Sequence, residues 1–259
     1  MIQILNKLLL LFLLYSCTGD STQTTTIATL KMLPVANPCK KVDDIPLPEG
    51  FKRTAASSGS FTVYLRKTGL KTDKTVYLYN GRPKANQSAQ FAVLNISTGN
   101  KDLQQCADAV MRLKAEYLFE QKQFDQIIFY DNEKTAYKFS APFTREHFAK
   151  CLDRVLGMCG SASLAKQLKP VPDFNSIQPG DVIIRGGFPG HAVIVMDVAV
   201  NAEGEKIYLL AQSYMPAQDI HILKNTADEN LSPWYNVNGS SIIETPEYVF
   251  SKVDLKRWH

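Results

Sequence analysis

Between residues 178 and 213 the chain reads QPGDVIIRGGFPGHAVIVMDVAVNAEGEKIYLLAQS, a stretch that few folds can accommodate. Its apolar runs are short, rich in Val and Ile, and punctuated by Gly and Pro, which is the pattern of buried strands joined by turns. A turn at Gln178–Asp181, which Asp181 is placed to cap, leads into a strand Val182–Arg185. After a glycine-rich loop, a strand His191–Val198 pairs with Ile207–Ser213 across a loop holding Glu203 and Gly204. Strict alternation puts His191, Val193, Val195 and Asp197 on one face. A meander of this kind following helices argues for an α+β domain.

The helices come before it. Asp102 is a candidate N-cap for a helix running to about Gln121, with Leu103, Cys106, Val110, Leu113, Tyr117 and Leu118 along one apolar stripe. A second helix is expected from Thr144 or Arg145 to Leu156, extending toward Leu168, with Phe148, Cys151, Leu152, Val155, Leu156 and Cys159 facing inward. On one continuous helix Cys151 and Cys159 would lie about 12 Å apart, too far to form a disulfide. Arg112 and Glu116 are spaced as a helix-surface ion pair, although Arg112 could instead face a carboxylate ligand. Ahead of the helices, β-branched and aromatic segments around Phe61–Lys67, Thr75–Gly81 and Gln90–Ser97 read as an additional N-terminal β segment. Tyr214, Trp234 and Tyr235 read as core aromatics.

At the N-terminus Lys7 precedes the apolar run Leu8–Leu14, and Ser16 stands directly before Cys17. The run is far short of the roughly 20 residues that span a bilayer, so residues 1–16 read as a cleavable signal peptide. Leu14-Tyr15-Ser16-Cys17 resembles the lipobox of bacterial lipoproteins, which implies lipidation of Cys17 and attachment to a membrane of the cell envelope. Residues 18–38 are rich in Thr and small polar residues, so 17–44 are expected to be a lipidated cysteine plus tether, and 45–259 a single domain. Removing residues 1–16 lowers the formal charge only from +4 to +3, by the loss of Lys7. No basic cluster points to nucleic acid. His147, His191, His221 and His259 lack ligand spacing, so neither a metal nor another cofactor is expected.

The segment Gln178–Asp197 resembles the histidine-bearing hairpin of the NlpC-type and CHAP cysteine peptidases and amidases, which belong to the papain-like superfamily. That resemblance implies a papain-like antiparallel sheet packed against helices. It also implies a nucleophilic cysteine at a helix start, matched by Cys106, with His191 as its base. A third polar residue on the next strand would orient the imidazole, and Gln212 matches, with Ser213 as its competitor. Across most of the chain, QQCADAVMRLKAEYL, LKPV, QPGDV, PGHAVIV, LLAQSYMPAQ, LSPWY and TPEYVF resemble a family of Bacteroidetes lipoproteins defined as a domain of unknown function.

The chemistry joins these residues. A helix N-terminus and an imidazolium both favour a thiolate, so the Cys106 thiol is expected to ionise below its ordinary value. Histidine would then protonate the leaving amine, and Gln104 or Gln105 could donate to an oxyanion. The expected activity is thiol-dependent cleavage of an amide bond, with peptidoglycan peptide the natural substrate for an envelope protein. The alternative is a non-catalytic binding or scaffolding module on the same fold.

Overall fold

The strands of the 178–213 meander form the middle of a nine-stranded antiparallel sheet. The structure is a computed structural model that describes residues 36–259, all within one folded unit spanning Pro34–His259. Its first half contains β1 (Lys52–Arg53), α1 (Phe61–Lys67), β2 (Gln90–Val93), α2 (Cys106–Glu120), β3 (Ile128–Tyr130) and β4 (Ala136–Lys138). Next come α3 (Arg145–Met158), α4 (Ser161–Gln167), β5 (Lys169–Pro170), β6 (Val182–Arg185), β7 (His191–Val200) and β8 (Lys206–Gln212). The chain ends with β9 (His221–Leu223), β10 (Tyr235–Asn236), β11 (Ile242–Glu244), β12 (Val249–Ser251) and β13 (Leu255–Arg257). The sheet runs β2-β9-β8-β7-β6-β13-β5, with β1 paired to β7 and β10 to β8, while β3–β4 and β11–β12 are separate hairpins.

Both faces of the central strands are covered, which explains their nearly unbroken apolar sequence. Ala192, Ile194 and Met196 of β7 and Leu209 and Ala211 of β8 join the core under α2, while Val193, Val195 and Leu210 join a second core on the other face. Phe250 of β12 belongs to that second core. α2 packs on β7, so the start of that helix lies against the strand that begins with His191.

Several expectations need correction. Phe61–Lys67 is a helix, because Ser60 caps it by accepting from Val63 N–H and because Phe61, Tyr64 and Leu65 recur at helical spacing. Thr75–Gly81 is not a strand. Its backbone makes only isolated bridges, Tyr77 to Pro83 and Leu78 to Gln218. Gln90–Val93 is the one segment of the three that enters the sheet. The second helix stops at Met158 and restarts at Ser161, with Cys159 and Gly160 extended between the two. The continuous-helix premise therefore fails, yet Cys39, Cys106, Cys151 and Cys159 are all free.

Packing also begins earlier than Ile45. Asn37, Cys39 and Val42 are buried, and Lys41 bridges to Gly69, so residues 37–44 belong to the domain and not to a tether. A bulge at Met196–Asp197, opposite Leu209–Leu210, breaks the alternation of β7. Asp197 is thereby turned away from the His191 face toward Arg53 and Arg66, each 2.6 Å from its carboxylate. The expected signal peptide, residues 1–16, and the expected lipidation site Cys17 lie outside the described residues. Among those described, no helix is long and apolar enough to cross a membrane.

Candidate functional site

Cys106 opens α2. Asp102 does not cap this helix: its carboxylate accepts from Ala217 N–H at 2.6 Å. Gln105 is the N-cap, and Asp108 reaches back to accept its N–H at 3.0 Å. Cys106 therefore occupies the first helical position, where N–H groups lack intrahelical partners and the helix dipole is felt most strongly. The backbone N–H groups of Ala107 and of Ala192, the residue after His191, face the sulfur.

His191 opens β7 across the same opening. Its Nε2 lies 2.8 Å from Oε1 of Gln212 at the end of β8. The imidazole is boxed by Tyr214 at 4.7 Å, Tyr248 at 4.9 Å and Phe250 at 5.7 Å between ring centroids. Only 2% of His191 is exposed, so the glycine loop before it does not open the imidazole to solvent. Ser213, the alternative third residue, donates its hydroxyl to the carbonyls of Gln104 and Gln218 and plays no part at the imidazole.

Cys106 and His191 line one cleft of about 560 Å³ between the start of α2, the Cys159–Ser161 break and the Gly187–Gly190 loop. Exposed Met158, Met215 and Phe188, the last 90% exposed, give it an apolar rim. The loop fits closely. A Cβ on Gly190 would run into Ser161 Oγ and come within 2.6 Å of Gly187 O and 2.7 Å of Arg185 O. Gly190→Ala should cost about 1–3 kcal/mol of stability. Urea unfolding reads this directly, and a midpoint equal to that of the unchanged protein would contradict the packing.

Burial dominates the electrostatics. It pushes the Cys106 thiol up, with Asp108 adding to the rise and the N–H groups of Ala107 and Ala192 opposing it. It pushes His191 down to about 4, against the hydrogen bond it donates to Gln212 and the charge of Glu247, while Lys84 adds to the drop. The resting pair is thus a neutral thiol and a neutral imidazole, and the acidified thiol expected from sequence is not what this environment produces. Asp108 is pushed by burial to about 8, which limits the negative charge beside the sulfur near neutral pH. The sign of the pH dependence follows: acid silences the site only where His191 itself takes a proton. Alkylation of Cys106 should therefore rise with pH above neutrality and lose its base-assisted part near pH 4. An acid limb near 6.5, the value of a free imidazole, would contradict this.

The remaining candidates sort by their partners. Gln104 is spent, its Nε2 on Gln218 O at 3.1 Å and its Oε1 on Arg112. Gln105 lines the cleft, with one amide hydrogen on Asp102 Oδ1 at 3.2 Å and the other without a protein partner among the described residues. Arg112 pairs with Glu116 at 3.7 Å, and Arg145 meets the same carboxylate at 2.5 Å. Asp181 caps its turn through Gln178 N–H at 3.0 Å and holds Arg257. Trp234 and Tyr235 are buried core residues, whereas Tyr214 stands in the cleft. Among the described residues no three His, Cys, Asp or Glu side chains are grouped to hold a metal.

A family model described as Domain of unknown function (4846) matches residues 42–144 and 130–257, which together span most of the chain. The chain belongs to that family. No curated protein and no solved structure matches it. Both elements that meet at the cleft of this DUF4846 chain, the start of α2 and the start of β7, lie within the matched residues. Sequence reasoning missed Glu247 and His221, which flank Gln212, and Lys84, which pairs with Glu247. Glu247 lies in the TPEYVF segment, but its partners come from distant parts of the chain and no local pattern announces them.

Proposed function

We propose that this DUF4846 chain is a papain-like thiol hydrolase or amidase that cleaves an amide bond in the bacterial cell envelope. The observation that carries the reading is that Cys106, first residue of a helix, and His191, itself bonded to Gln212, line one open cleft. In the proposed reaction the Cys106 sulfur attacks the amide carbon as His191 Nδ1 takes the thiol proton. The backbone N–H of Cys106 and the Gln105 amide receive the oxyanion, and the imidazolium passes its proton to the leaving amine. Water then attacks the thioester, with His191 as base, releasing the acid and the thiol. The apolar rim suits a substrate with an apolar side chain beside the bond, and peptidoglycan peptides are the substrate class suggested by location.

The test is incubation of the full chain with muropeptides, followed by mass spectrometry. A new free amine and a new carboxylate should form with the unchanged protein and not with Cys106→Ala. Intact substrates with both would end the hydrolase reading. The deep burial of the His191 ring favours one rival, a non-catalytic binding module, which would leave muropeptides uncut while retaining them in the cleft.

The lipid anchor belongs to the same proposal. Because the apolar run before Cys17 is too short to span a bilayer, Cys17→Ala should release the protein from the membrane fraction or block its processing. Unchanged membrane association with normal cleavage, seen by fractionation and blotting, would count against lipidation.

A further inference from the structure

The side-chain amide of Gln212 is held in one orientation. Its nitrogen faces two acceptors, Glu247 Oε2 at 2.7 Å and His221 Nε2 at 3.5 Å. The Glu247 carboxylate can only accept, and it is held in place by Lys84 Nζ at 2.5 Å and Asn86 Nδ2 at 3.1 Å. His221 Nδ1 sits 2.9 Å from the backbone carbonyl of Asp219, so Nδ1 carries the hydrogen and Nε2 keeps its lone pair. Burial holds that imidazole down to about 4, so it stays neutral and accepting. Gln212 must turn its NH₂ toward both neighbours and its carbonyl toward His191. A carbonyl cannot donate, so His191 Nε2, 2.8 Å away, must be the protonated nitrogen.

We infer that Glu247 is a positioning residue of the thiol–imidazole site, acting through Gln212 and together with His221 to lock His191 in its Nε2–H tautomer. That tautomer leaves the lone pair on Nδ1, the nitrogen needed to take the Cys106 proton. The catalytic consequence rests on the proposed hydrolase chemistry, whereas the lock itself does not. Glu247 is delivered by the turn joining β11 to β12, which Thr245 closes with Oγ1 2.7 Å from Tyr248 O. The same turn sets Tyr248 against the His191 ring. Lys84 neutralises the carboxylate, so its effect on the site runs through hydrogen-bond direction more than through charge.

The experiment uses full-length protein labelled with ¹⁵N-histidine. The His191 nitrogen shifts, assigned against His191→Gln, report the tautomer, and iodoacetamide alkylation reports Cys106. The unchanged protein should show the Nε2–H form alone. Glu247→Gln keeps an acceptor for Lys84 and Gln212 and should preserve both readouts. The double variant Lys84→Met/Glu247→Met removes the nearer of the two acceptors, leaving only the longer contact to His221, without stranding a buried ion. It should populate the Nδ1–H form and slow Cys106 alkylation about tenfold. If it does not fold, Glu247→Ala replaces it. An Nδ1–H form in the unchanged protein, or a pure Nε2–H form in a folded variant lacking the acceptor, overturns the inference. Failure of the unchanged protein to alkylate at Cys106 would instead sink the hydrolase reading, while the nitrogen shifts still decide the lock.

Discussion

Replacing His191 by glutamine, which keeps most of the side-chain volume, should slow both amide cleavage and alkylation of Cys106 by roughly 10²–10⁴-fold, the usual contribution of a positioned base. The size of the effect follows from the resting state. Burial keeps the thiol protonated and the imidazole neutral, so in the proposed reaction the sulfur becomes nucleophilic only as its proton moves to His191. Without a base beside it, Cys106 is an ordinary half-buried thiol. Alkylation by iodoacetamide at neutral pH measures the change, and a circular-dichroism spectrum matching the unchanged protein shows that the fold survives. A folded His191→Gln protein whose Cys106 reacts at the original rate would remove His191 from the site.

The largest loss of stability should come from Asp197→Ala. This carboxylate is fully buried beneath α1, with Arg53 Nε and Arg66 Nε each at 2.6 Å and Val198 N–H donating at 2.8 Å. Arg66 also binds Thr54 O at 2.8 Å, tying the β1 end of the chain to α1. Deleting the acid leaves two guanidinium groups without their counter-charge, a loss of about 3–5 kcal/mol. Equilibrium urea denaturation should show a large fall in midpoint. A change below about 1 kcal/mol, the scale of an exposed pair, would mean that the arginines find water or other acceptors.

The meander was legible because β6, β7 and β8 are buried on both faces, so their apolar runs and the glycine turns between them stand out without any long-range knowledge. His191, Cys106 and Gln212 were legible through a resemblance, which placed one residue at each element end. Where local and global signals compete, the reading failed. The aromatic and β-branched composition of Phe61–Lys67 outweighed a helical spacing only two turns long, and the cap at Ser60 settles the contest in favour of helix. Asp102 looked like an N-cap, but the backbone of Ala217, far along the chain, claims its carboxylate. The bulge in β7 moved Asp197 off the face that alternation assigned to it. Glu247 reaches Gln212 from 35 residues away through a turn between two short strands, a contact that no periodicity encodes.

One measurement bears most directly on the central claim, that Cys106 is a nucleophile served by His191 and not a packing thiol. Folded full-length protein is treated briefly with iodoacetamide at neutral pH, quenched, digested, and the modified cysteine mapped by mass spectrometry. Cys106 should be modified ahead of Cys39 and Cys159, which are buried in the core, and its modification should fall sharply in His191→Gln. Labelling of Cys106 only after denaturation would contradict the account and leave the cleft as a binding site.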